Sequence, residues 1–322
     1  MALPGKPACT IDEHVRRLSA RGMAVDDALA RQWFSYVSYY RLSAYWYTAR
    51  QEDENGGKTD RFTAGTRFSD CVRLYEADRK LRTLVHDGME RIEIALRCRV
   101  GETLSFRDPL FYRHSANFRD DFSHGDWLDN ARKRVRRARR NNAAIRHYQN
   151  NYNSRFPFWV LAEVLDFSDI SRLFEGLVVE DQREIASALG LNIVFSELGR
   201  RQKDRFGKAH PLTRWLEQLT IVRNISAHHG RLWNRKLMPV STVAFRTMPN
   251  FHCLPPEQSE RIFGSLTMMA FLLSRVSPGT TWPTKVGTLI DGEFLENPLV
   301  RPGAMGLPVQ WDSAAWVRQA TS

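Results

Sequence analysis

Apolar residues along this chain recur at spacings of three, four and seven much more than at two, which predicts helices nearly throughout. Thr10 can cap a first helix through Ile11-Asp-Glu-His-Val-Arg-Arg-Leu, ending near Gly22. A second is predicted from Val25 to about Tyr47. On it Trp33, Tyr36, Tyr40 and Tyr47 repeat at helical intervals and give one aromatic face, read as core or dimer contact. The polar segment from Gln51 to Asp60 contains Asn-Gly-Gly and reads as an exposed loop. The longest pattern runs from Phe68 to about Leu104 and aligns Leu74, Leu81, Leu84, Val85, Ile92 and Leu96. Gly88 inside it weakens a helix by about 1 kcal/mol relative to Ala, which points to a bend or a close contact there.

Further helical patterns follow Pro157 as far as Gly176, span Gln182 to Leu189, run from Pro211 to about His229, and cover Glu257 to Val276. Pro211 suits a first helical turn and Gly230 a helix end. Strict alternation with β-branched residues is scarce and no repeat is evident, so the fold class is all-α. Three regions result: a helical region with the aromatic stripe at 1–60, a helical domain at 61–280 with a basic insert near 131–147, and a Pro- and Gly-rich tail at 281–322 that reads as irregular.

Composition adds a partner class. A hydrophobic fraction of 43% with 26% charged residues belongs to a folded chain, not a disordered one. The net charge of +11 favours a polyanion, either nucleic acid or an acidic membrane surface. Arginine dominates the basic residues, and its planar fork suits phosphate. Between Arg132 and Arg146 stand eight basic residues and no acid. Arg132, Lys133, Arg134, Arg136, Arg137, Arg139 and Arg140 are candidate RNA-binding residues, and a solvated helix face or loop is the plainer alternative. Tyr148 and Tyr152 follow and can stack on bases or lie in the core. The scattered cysteines, Cys9, Cys71, Cys98 and Cys253, suggest neither a disulfide framework nor a zinc knuckle. The opening Met-Ala-Leu-Pro-Gly-Lys-Pro lacks a leader's apolar stretch, and no apolar run approaches a bilayer span. A reduced, soluble, cytoplasmic protein without membrane contact is expected.

Chemistry concentrates at the end of the helix after Pro211. Leu212, Trp215, Leu216, Leu219 and Val222 give it a buried stripe, and it then becomes Arg223-Asn224-Ile225-Ser226-Ala227-His228-His229. Asn224 and His228 share a face, whereas Arg223 and His228 lie roughly 140° apart around the axis. Two copies about a twofold axis can bring both pairs into one cleft. A guanidinium, an imidazole and an amide suit RNA cleavage by the ribose 2′-hydroxyl. His228 would carry protons, because imidazoles titrate near neutrality. Arg223 would bind the phosphate and Asn224 would orient His228 or the phosphate. The plainer reading is that the histidines cap a helix C-terminus and Arg223 is an ion-pair partner. Adjacent histidines without a spaced third ligand argue against a metal site.

Several blocks, in order, resemble the Abi-like proteins of bacterial abortive infection, part of the wider HEPN group. They are Ser38-Tyr39-Tyr40-Arg41-Leu42-Ser43-Ala44-Tyr45, then Asp78-Arg79-Lys80-Leu81-Arg82 with Ile92-Glu93-Ile94-Ala95-Leu96-Arg97, then Pro157-Phe158-Trp159-Val160-Leu161-Ala162-Glu163-Val164, and finally Arg223 through Asn234. The resemblance covers about residues 7 to 275. It implies a HEPN-like helical bundle with an N-terminal helical extension, a homodimer with a composite site, and metal-independent endoribonuclease activity without a cofactor. It also implies a toxin-like phage-defence effector, and some relatives pair with a small regulatory non-coding RNA. The residues carried over are Arg223, Asn224 and His228. Glu93, Arg97, His229 and Arg231 stand in support, Glu93 by holding Arg223 or His228, and Arg231 by reaching a phosphate. Two departures are modest: Phe167-Ser168-Asp169 stands where relatives often show Gly, and Gly230 lies inside the motif. Besides the nuclease, an RNA-binding protein without catalysis and a dimeric regulatory protein remain open.

Overall fold

The computed structural model describes residues 7–322. Residues 1–6, most of the segment in which no leader was read, lie outside the described residues. Thr10 opens helix α1 (Ile11–Ala20) with a reciprocal cap. Its hydroxyl accepts from the Glu13 amide at 3.2 Å, and the Glu13 carboxylate accepts from the Thr10 amide at 2.6 Å.

The long second helix expected from Val25 to Tyr47 is two helices, α2 (Asp27–Tyr36) and α3 (Tyr39–Trp46). Val37 is extended and the Ser38 hydroxyl caps the new start, which an i, i+4 pattern does not register. The break puts the aromatic residues out of phase. Trp33 packs edge-on against Tyr75 at 5.6 Å, whereas Tyr36 and Tyr40 are 90% and 87% exposed. No continuous aromatic core face exists. Part of the expected loop is a small antiparallel hairpin, β1 (Arg50–Glu52) with β2 (Lys58–Phe62).

Helix α4 (Phe68–Ser105) is the spine of the bundle, about 57 Å long at 1.5 Å per residue. Leu74, Leu81, Val85, Ile92 and Leu96 are buried along it. Gly88 marks a close contact. A Cβ there would lie 2.8 Å from Met269 Cε and 3.0 Å from the Trp282 indole nitrogen.

The basic insert is a helical hairpin, α5 (His124–Ala138) and α6 (Ala143–Asn151). The region after Pro157 divides into α7 (Phe158–Leu161) and α8 (Phe167–Gly176), because Leu165 is extended and Asp166 caps the second. Then come α9 (Val179–Ala188), α10 (Arg200–Lys208) and α11 (Leu212–Ala227). Helix α10 buries only Phe206, so it leaves almost no apolar pattern to read. A two-residue pairing of β3 (Val240–Ser241) with β4 (Gln258–Ser259) leads to α12 (Ile262–Val276), which is buried continuously from Ile262 to Leu273.

Beyond residue 280 the chain is ordered helix, not the irregular tail its Pro and Gly content suggested. It forms α13 (Trp282–Leu289), a π-helical turn over Ile290–Leu295, α14 (Pro302–Met305) and α15 (Ser313–Thr321). Pro283 and Pro302 stand in first helical turns, where a missing N–H breaks nothing. Trp282, Phe294, Met305 and Trp316 are buried, and the Trp316 indole donates to Thr267 Oγ1 at 3.0 Å. The architecture is an all-α bundle in which α3, α11, α12 and α13 pack on α4. Among the described residues, no helix is long and apolar enough to cross a membrane.

Candidate functional site

Helix α11 buries Leu212, Trp215, Leu216, Leu219 and Val222, as its stripe predicts. Buried Gln218 fixes it further. Its amide donates to Met238 O at 2.8 Å and Ser259 O at 3.2 Å, and its carbonyl accepts from Ser265 at 2.8 Å. The opposite side leaves Arg223 half-buried and Asn224, His228 and His229 exposed. The helix stops one residue earlier than Gly230 suggested. His229 adopts φ +55°, its amide donates to Ser226 O at 3.0 Å, and the Gly230 amide donates to Ile225 O at 2.7 Å. Left-handed backbone at a residue with a Cβ costs about 1–2 kcal/mol. Gly230 serves close approach instead, since a Cβ on it would lie 2.9 Å from Ile225 Cγ2 and 3.2 Å from Ile225 O.

Arg223 lies in a groove of about 280 Å³ shared with His86, Glu90, Glu93 and Arg97 of α4. The sequence-predicted supporting pair is therefore beside it. Arg97 bonds to Glu93 and donates to Leu165 O at 2.6 Å. Burial pushes the Glu93 carboxyl upward, opposed by Arg97 and Arg223. Arg223 donates to Asn224 Oδ1 at 3.3 Å and makes no ion pair among the described residues. His228 does not line this groove; it sits at the C-cap of α11. Within one copy, Arg223 and His228 thus present to different surroundings.

The loop after the helix is locked from below. Asp78, fully buried, accepts from the Leu232 amide at 3.1 Å, the Trp233 amide at 2.9 Å, the Tyr45 hydroxyl at 2.7 Å and Arg82. Burial pushes the Asp78 carboxyl upward, and Arg82, Tyr45 and the two amides oppose it. All four contacts are donors, which is the environment of a carboxylate. Arg41 of α3 donates to His229 O at 2.7 Å. Arg231 is engaged in the same way, bonding through one nitrogen to Ala44 O in a half-buried position, and so helps hold α3. Tyr45, Asp78, Arg82 and Arg41 stand in the motif blocks, but none of them was given a role from the sequence. One signal was present: Asp78 and Arg82 stand on the same helical face as Leu74, Leu81 and Val85, where charges signal a buried pair.

A family model described as Abi-like protein matches residues 32–234, well over half of the chain. The chain belongs to the Abi-like protein family. No curated protein and no solved structure matches it. The match in this Abi-like chain runs from α2 to Asn234, just past the loop that Asp78 holds. The tyrosine-rich block, Asp78–Arg82 and the Arg223–His228 motif, distant in sequence, therefore form one connected structure at the end of α11.

The candidate RNA-binding residues of the Abi-like chain divide. Arg132, Lys133, Arg136, Arg137, Arg139 and Arg140 are exposed on the α5–α6 hairpin, with Arg132 paired to Asp129 at 2.8 Å. Arg134 is not available there. It pairs with Asp166 and, at 2.8 Å, with Asp169, and so fastens α5 to the start of α8. Asp169 also accepts from the Asp166 amide at 3.0 Å, which closes the start of α8. Tyr148 and Tyr152 pack against each other with their rings tilted by 30° and centroids 4.8 Å apart. Among the described residues, no group of three or more His, Cys, Asp and Glu side chains is placed to hold a metal ion.

Proposed function

We propose that this Abi-like protein is an endoribonuclease of the metal-independent kind, acting as a toxin-like effector of abortive infection against phage. Family membership supports the defence role. The observation that carries the chemistry is the end of α11, where a guanidinium without an ion pair among the described residues and an exposed imidazole stand five residues apart on a helix fixed by Gln218. In the proposed reaction the ribose 2′-oxygen attacks its neighbouring phosphorus as a base, His228, takes the hydroxyl proton. The bond to the 5′-oxygen breaks, an imidazolium returns a proton to that oxygen, and the products are a 2′,3′-cyclic phosphate and a 5′-hydroxyl. Arg223 offsets charge on the non-bridging oxygens, and Asn224 orients Arg223 through the contact between them. Because Arg223 and His228 diverge within one copy, the working site joins two copies in a homodimer. The exposed arginines of α5–α6 supply salt-dependent affinity for the RNA backbone.

The test is to induce wild type and His228→Ala briefly in bacteria and map RNA 5′-hydroxyl and cyclic-phosphate ends. New ends with wild type alone are expected. Identical profiles from two soluble proteins would overturn the nuclease reading in favour of RNA binding without cleavage. Co-expressing Arg223→Ala with His228→Ala should restore cutting if the site spans two copies, and should not if each copy holds a complete one.

A further inference from the structure

We propose that a cavity beneath the α5–α6 hairpin receives one unpaired nucleobase of the bound RNA, a site that rests on the RNA reading above. The cavity is about 390 Å³, within the range of small-molecule sites and large enough for a nucleoside. Its walls include Leu128, Val135 and Phe156, and its mouth carries Arg113, Arg132 and Arg136. Leu128 is half-buried, Val135 and Phe156 are buried, and the three arginines are exposed. Arg113 and Arg136 have no ion pair among the described residues.

That combination selects a ligand. An apolar floor suits the flat face of a base, while guanidinium planes stack on bases and meet the phosphates on either side. An acidic peptide would satisfy the arginines and leave the floor unfilled. Gln149 also lines the cavity and offers both a donor and an acceptor to a base edge. Ser154 completes the rim at φ +58°, next to Asn153 at φ +46°. Two consecutive residues with a Cβ in the left-handed region are uncommon, and such conformations gather at ligand clamps. The Ser154 amide donates to Tyr148 O at 3.1 Å, so the end of α6 fixes this rim. Base insertion here would favour single-stranded RNA, because a paired base cannot leave its stack cheaply.

The experiment uses the whole wild-type protein and a 2′-O-methyl single-stranded oligonucleotide, which the proposed reaction cannot cut. Its affinity is compared by fluorescence anisotropy with that of an abasic oligomer of the same length and charge. A preference of about tenfold for the base-bearing strand is expected, in keeping with one stacked base. Gln149→Trp, which fills the cavity from its lining, should remove that preference without lowering the melting temperature. Equal affinity for both strands would overturn the base site while leaving a sequence-blind RNA binder. A preference kept by Gln149→Trp would also overturn it, by placing the base contacts elsewhere. A mononucleotide binding as tightly as the oligomer would overturn it in favour of a free-nucleotide site. No binding of either strand at low salt would overturn the RNA reading as well.

Discussion

Replacing Asp78 by Asn keeps the shape of the buried acceptor and removes its charge, leaving Arg82 buried without a counter-ion. Arg82 is only 5% exposed, so water cannot take the place of the carboxylate. Breaking one side of a buried ion pair costs about 3–5 kcal/mol. Asn retains one carbonyl oxygen for the Leu232 and Trp233 amides, which places the expected loss near the lower end, about 3 kcal/mol. For a chain of this size that is a fall in melting temperature of roughly 6 °C, at about 2 °C per kcal/mol. The assay is thermal unfolding of wild type, Asp78→Asn, Arg82→Met and the double variant. The double variant should lose less than the sum of the singles by about 1–3 kcal/mol, since the stranded charge goes with its partner. Additive losses, or a single-variant shift below about 1 kcal/mol, would refute Asp78 as the anchor of the loop after α11.

His229→Gly should stabilise the fold by about 1 kcal/mol, because glycine takes the left-handed conformation without the Cβ penalty; a lower melting temperature would show that the imidazole holds the turn. Gly230→Ala should destabilise by about 1–3 kcal/mol, since the new methyl meets the Ile225 carbonyl, which is fixed in the helix; an unchanged unfolding midpoint would contradict that. His210 is buried, accepts from the Leu212 amide at 3.2 Å, and is pushed down to about 4 by burial with Arg183 adding to it. Its folded-state value lies below the unfolded one, so its contribution is complete above about pH 6.5 and is lost as pH falls through 4. It amounts to about 3 kcal/mol. Urea unfolding at pH 7 and pH 4.5 should show the fall, and His210→Asn should flatten it.

Elements that bury one stripe could be read directly. The cores of α4 and α11 follow apolar spacing alone, α12 is legible as a continuous apolar run, and Arg223, Asn224 and His228 stand out because α11 changes character where its stripe ends. The divergence of Arg223 and His228 also follows from helical geometry. Features that depend on one polar atom or on distant partners could not be read. The Ser38 hydroxyl divides a continuous apolar pattern into α2 and α3. The region beyond residue 280 is helical because Trp282 and Trp316 find places against α4 and α12, more than 40 residues away in each case. Arg134 and Arg231 are chemically indistinguishable from their neighbours in a basic sequence, and only Asp166, Asp169 and the Ala44 carbonyl separate them from free arginines.

The motif is held at two points, one on each side of it: buried Gln218 of α11, bonded to Met238, Ser259 and Ser265, and the Asp78 carboxylate under Leu232 and Trp233. A rod pinned at one point can still pivot; pinned at two, it can neither slide nor pivot. Arg223 and His228 are therefore presented at a fixed pitch by each copy. On the proposed reading, what is then left to set is how a second body, protein or RNA, is laid against them, which puts control of this helix at the encounter.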